Sequence, residues 1–178
     1  MSYTDVARKV NNTIVTRMVD GNIRVENAVL MFRNFGGNPT NFNPNGGKRT
    51  FSLCLPKEWA DILRQDMWNV KERQLEEGDV IYHTEIVVNE NSQFPPKLYL
   101  LSEYDGKKTM TLLKPEQYKK LDQDMIVGLD LEIHPFEHGR GTPGSKKGYL
   151  KNLWATLQSV NDFGGKYAGY DITNPAGV

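Results

Sequence analysis

The chain predicts a mainly β fold, a five-stranded Greek-key barrel with extra hairpins and one or two short helices. Three observations predict it. About seven segments are β-branched or alternate apolar with polar residues. Clusters of Gly, Asn and Pro separate them. Only two stretches, 56–67 and 115–121, show helical spacing.

Residues 1–22 have no clear period and read as an N-terminal arm or first element, where Val10 and Ile14–Val15 offer a short strand or helix. Residues 23–160 read as the folded domain, and residues 161–178 as a flexible Gly- and Tyr-containing tail. Within the domain, Ile23–Phe32 is a strand, residues 36–47 are a turn-rich loop, and Thr50–Leu55 is the returning strand. Pro56 opens a helix whose apolar face is Trp59, Ile62, Leu63 and Met67. Trp68–Lys71 reads as a short strand, and Asp79–Asn89 as a longer one. Pro95 and Pro96 favour an extended lead into the strand Lys97–Tyr104. Asp105-Gly106 marks a hairpin turn, after which Lys107–Leu113 returns. The cleanest alternation lies in Met125–Phe136. There Leu129, Leu131 and Ile133 face one way, and Asp130, Glu132 and His134 the other. Gly148–Val160 is the last long strand.

Twenty-two basic and 22 acidic residues cancel. That counts against a nonspecific duplex-DNA coat, yet allows a local basic groove. The single Cys54 excludes an intramolecular disulfide and argues against a thiolate zinc site. Flanked by Leu53 and Leu55, it reads as a buried, inert thiol. No apolar run approaches the ~20 residues of a membrane span, and the first residues lack a signal-peptide core. The expectation is a soluble cytoplasmic protein with no membrane partner.

Several chemical motifs fail on inspection. Gly46-Gly47-Lys48 lacks the first Gly and the Ser/Thr of a phosphate loop, and a strand follows it. His134 and His138 lie four apart, but no Cys pair accompanies them and Pro135 disfavours a helix. Asp130 and Glu132 share a strand face, where solvated carboxylates are ordinary. No nucleophile elbow is present. The sequence therefore predicts no enzyme, no cofactor and no metal.

What remains is a set of rings beside cations: Arg33 with Phe35; Phe42 with Lys48, Arg49 and Phe51; Trp68 with Lys71; Lys97 with Tyr99; and Lys146, Lys147 and Tyr149 with Lys151 and Trp154. Rings stack on unpaired bases and cations hold phosphates. The competing reading of each ring is core, which the patterning favours for Phe32, Phe51 and Trp59. Lys146, Lys147 and Lys151 read by default as a solvated loop end, with phosphate contact as the functional alternative.

The ordered set Glu26–Gly37, Phe42–Phe51, Trp68–Lys71, Pro95–Tyr99, Asp130–Phe136 and Gly148–Leu157 resembles the single-stranded DNA-binding proteins of tailed bacteriophages. The resemblance implies an OB-fold and a non-catalytic protein that binds and protects single-stranded DNA with little sequence preference, in replication or recombination. It implies single-stranded DNA as the partner, with replication or recombination proteins or a second copy of the chain beside it. The nucleic-acid-binding residues expected are Arg33, Phe35, Phe42, Lys48, Arg49, Tyr99, Lys147, Tyr149, Lys151 and Trp154. One departure stands out: the chain ends Asn174-Pro-Ala-Gly-Val178, not in the acidic tip by which many such proteins recruit partners. The alternative is a β-rich interaction module engaging a protein through its sheet edge and tail. A metal-dependent nuclease using Asp130 and Glu132 is the third reading.

Overall fold

The computed structural model describes residues 1–139 and 141–157. The expected tail and the last residues of the strand expected to reach Val160 lie outside the described residues. Among the described residues the strands form one ten-stranded sheet, three more strands than the sequence suggests.

The strand expected over Ile23–Phe32 is two strands, preceded by Ile14–Arg17 (β1): Ile23–Glu26 (β2) and Leu30–Asn34 (β3). Asn27, at φ 54°, breaks them, a left-handed conformation that Asn tolerates better than most residues. The break redirects the pairing. β2 pairs antiparallel with Ile126–Glu137 (β9) through Ile23↔Ile133 and Val25↔Leu131. β3 pairs antiparallel with Thr50–Leu55 (β4) through Leu30↔Leu53. Across the break, Ala28 N–H donates to Leu129 O at 2.8 Å, and Val29 O accepts from Cys54 N–H at 2.9 Å.

From β4 the sheet passes antiparallel to Val80–Val87 (β6), then parallel to Lys146–Leu157 (β10), then antiparallel to β9. β9 returns to β2. The strands β2/β3, β4, β6, β10 and β9 thus close into the five-stranded Greek-key barrel of an OB-fold. β1 extends the sheet beyond β2. Val70–Gln74 (β5) pairs with β6, so the expected short strand at Trp68 starts later and runs through Gln74. Lys97–Tyr104 (β7) and Lys107–Leu112 (β8) form the expected hairpin. Asp105 and Gly106 both have positive φ, 51° and 73°, as a tight two-residue hairpin turn requires. β7 lies parallel to β10 at Asn152–Thr156, just past Gly148 and Tyr149, where β10 pairs with β6.

The apolar sides of these strands fill the barrel, with Phe35, Phe51, Leu53, Leu63, Ile86, Leu98, Leu121, Leu131, Ile133 and Leu153 almost wholly buried. Gly148 sits where β10 crosses β6 and β9. A Cβ there would lie 2.6 Å from Ile133 Cγ2 and 2.7 Å from Ile86 Cδ1. Three strands can approach at this point because the side chain is missing.

Residues 1–22 lie against the barrel. Ser2 and Asp5 form a capping box at the start of Tyr3–Lys9 (α1). α1 buries Val6 against Val29, Met31, Cys54 and Ile81, a second core outside the barrel. β4 is therefore buried on both faces, where alternation alone predicts one. Burial pushes the Cys54 thiol up to about 12, consistent with the inert thiol expected. The helix expected after Pro56 is Lys57–Gln65 (α2), and it buries Ala60 and Leu63. Trp59 packs half-buried against the core, and Phe51 is inside it. Phe32 departs from expectation. It is 56% exposed, at φ 51° in a register shift between Met31 and Asn34, which turns its ring away from the barrel. The register shift places Met31, not Phe32, in the second core.

The helix expected at 115–121 is a 3-10 turn followed by Lys120–Gln123 (α3). Asp122 accepts from the backbone N–H groups of Phe35 (2.7 Å) and Gly36 (2.8 Å). It thereby fixes the start of the loop joining β3 to β4. No helix among the described residues is long and apolar enough to cross a membrane.

Candidate nucleic-acid interface

The outward face of β9 and β10 is built by strand alternation. Asp130, Glu132, His134 and Phe136 stand opposite Trp154, Asn152, Tyr149 and Lys147. Trp154 also pairs with Tyr99 on β7. The two rings stack with centroids 6.1 Å apart and planes 13° from parallel. Leu112 of β8, 53% exposed, continues this row.

Roughly 13 Å away, four residues along β9 at ~3.3 Å each, lies a second aromatic group. Phe136 meets His138 edge to face at 4.8 Å and Tyr149 at 5.9 Å. The Tyr149 hydroxyl is hydrogen-bonded to His138 Nε2 at 2.8 Å. With Phe94, His134 and Lys151 these side chains line a cleft of about 850 Å³. Phe94 is 84% exposed. A cleft walled by rings and floored by strand side chains can take a flat heterocycle by stacking.

Cations edge this face. Lys147 and Lys48 both approach Glu85 Oε1, at 3.7 and 3.5 Å, so two positive charges share one negative. Lys151 lies 3.9 Å from Glu132 and keeps half of its surface. The two strand-face carboxylates are engaged: Asp130 accepts from Asn27 N–H at 3.1 Å, and Glu132 from Asn152 Nδ2 at 3.4 Å. Among the described residues no three His, Cys, Asp or Glu side chains converge as metal ligands would.

The structure therefore brings together Tyr99 with Trp154, Tyr149 with Lys151, and Lys48 with Lys147. Phe42 stands apart at the tip of the β3–β4 loop, fully exposed. Three expected residues need correction. Phe35 is wholly buried and stacks on Phe51 at 5.0 Å, so it has no face for a base. Arg33 Nη1 donates to the carbonyls of Leu121 (2.7 Å) and Asp124 (3.0 Å), where it holds the end of α3. Arg49 donates to Phe35 O, pairs with Glu90 at 3.1 Å and lies over the Tyr118 ring. Both arginines hold the fold together.

Sequence reasoning missed Phe136 and Phe94. The signal for Phe136 was present, since it continues the outward series from Asp130 through His134. Phe94, ahead of two prolines, carries no periodic signal.

Three solved structures of the single-stranded DNA-binding protein from bacteriophage Enc34 are similar to this chain. The complex with ssDNA is 11% identical, with 82% of this chain and 91% of that chain covered and a TM-score of 0.49. The protein without DNA is 10% identical, covering 83% and 90%, with a TM-score of 0.46. Its C-terminal truncation is 11% identical, covering 84% and 97%, also at 0.46. No curated protein matches the chain. The phage ssDNA-binding domain family matches residues 12–176, nearly the whole length, and the chain belongs to that family.

Proposed function

We propose that the chain binds and protects single-stranded DNA with little sequence preference, without catalysis, as an accessory of phage DNA replication or recombination in the host cytoplasm. The observation that carries this reading is the outward face of β9 and β10. Two aromatic groups stand on it along one strand direction, and Lys48, Lys147 and Lys151 lie beside the second. Membership of the phage ssDNA-binding domain family supports it. The binding unit is residues 23–160. Bases stack on Tyr99, Trp154, Tyr149 and Phe136, and Phe42 reaches the strand from its loop. The lysines neutralise phosphates, so affinity falls with salt. Every base offers a π-face, which keeps sequence preference weak.

The test is a titration of labelled oligo-dT against a duplex of equal length, at two salt concentrations, with and without magnesium. Preference for the single strand, weakening with salt, with the strand intact throughout, is the expected result. Equal affinity for duplex would overturn the reading, and magnesium-dependent cleavage would overturn the non-catalytic part of it.

A further inference from the structure

His134 lines the cleft beside Phe136 and Tyr149, but its ring is not free to choose a tautomer. Asn22, only 3% exposed, sits just before β2. Its backbone N–H and its side-chain amide both donate to Asp20, at 2.9 and 3.1 Å. A carboxylate accepts hydrogen bonds and does not donate them when ionised. The Asn22 amide nitrogen therefore points to Asp20, and its oxygen, Oδ1, is the atom 2.8 Å from His134 Nδ1. An oxygen facing Nδ1 requires the proton on Nδ1. In the neutral imidazole Nε2, on the other side of the ring, then carries a lone pair and is an acceptor.

We infer that the Asp20–Asn22–His134 relay makes His134 Nε2 a fixed hydrogen-bond acceptor in the cleft, favouring bases with an exocyclic amine over thymine. This rests on the single-stranded DNA reading above and adds a modest base preference to it. Cytosine and adenine present an amino N–H at the edge of the ring. Thymine's only ring N–H lies between two carbonyl oxygens, whose lone pairs oppose that of Nε2. His134 touches the base, and Asn22 and Asp20 are positioning residues.

The test compares oligo-dC with oligo-dT of equal length by fluorescence anisotropy, using the full chain at pH 7.5 and fixed salt. The quantity read is the dT-to-dC ratio of Kd in the wild type divided by the same ratio in a variant. A single net hydrogen bond in a wet cleft is worth about 2- to 10-fold. His134→Phe keeps a stacking ring and is expected to lower the preference for dC by that factor. Asn22→Ser is expected to lower it in part. Nitrogen chemical shifts of the His134 ring give a second readout, showing Nδ1–H in the wild type and a tautomer mixture in Asn22→Ser. A ratio unchanged in His134→Phe, with dT still bound, would overturn this inference and leave the binding reading standing. An Nε2–H tautomer in the wild type would also overturn it. Failure of the wild type to bind either strand would overturn both.

Discussion

Tyr99 and Trp154 face each other across two parallel strands, their planes only 13° apart. The strands belong to different parts of the fold, an added hairpin and the last barrel strand. The hairpin therefore sets the position of a barrel ring. Trp154→Ala is expected to weaken oligo-dT binding by about 1–3 kcal/mol, the worth of one stacked base. Trp154→Phe should recover most of it. Anisotropy titration checks both.

Phe35 and Phe42 lie seven residues apart and should behave in opposite ways. Phe35→Ala empties a core site and is expected to cost about 3–5 kcal/mol of stability. Phe42 is fully exposed, so Phe42→Ala should change stability by no more than about 0.5 kcal/mol while weakening DNA binding. Urea denaturation beside a binding titration separates the two.

Lys48 and Lys147 share Glu85, so its carboxylate competes with phosphate for both. Glu85→Gln is expected to tighten single-strand binding. Lys147→Ala is expected to loosen it and to reduce the slope of log K against log salt by about 0.7 for each phosphate no longer neutralised. A salt series on the three proteins reads this directly.

Burial holds His83 below its usual pKa of 6.5, and Lys71 and Arg73 add to the effect. The unfolded chain takes up this proton near 6.5, the folded chain only at lower pH. Between the two values the unfolded state binds more protons, so stability falls as pH drops below about 6.5. Below the folded value the loss levels off. Urea midpoints at pH 7.5 and 5.5 should show this decline, and His83→Leu should shrink it.

Cys54 is wholly buried, with its thiol pushed up to about 12. A thiol reagent at pH 8 is expected to modify it only at the rate of unfolding. Labelling as fast as that of a small thiol would contradict the packing of α1 on β4.

Much of the barrel is legible from local pattern. Leu129, Leu131 and Ile133 give β9 its inward face, and by alternation its outward one. Asp105-Gly106 gives the hairpin. Closure is not legible, because it depends on one strand changing partners at Asn27, and no periodicity announces that. The site was half legible. Tyr99, Tyr149 and Trp154 lie in regular strands, where the pattern assigns a side. Phe32 lies in a register shift and Phe35 just past it, where alternation stops predicting direction. Arg33 and Arg49 look free in the sequence because their partners, the carbonyls of α3 and the carboxylate of Glu90, come from distant segments.

Among the described residues β1, β5 and β8, strands added to the barrel, each pair on one side only, so each presents an open edge. An open strand edge offers unpaired backbone groups to which a neighbouring copy can join. β5 carries Lys71, Glu72 and Arg73 exposed, and β8 begins with Lys107 and Lys108. Such charges keep edges from joining. Copies of this chain brought close together would then meet charge on charge at these edges and stay separate.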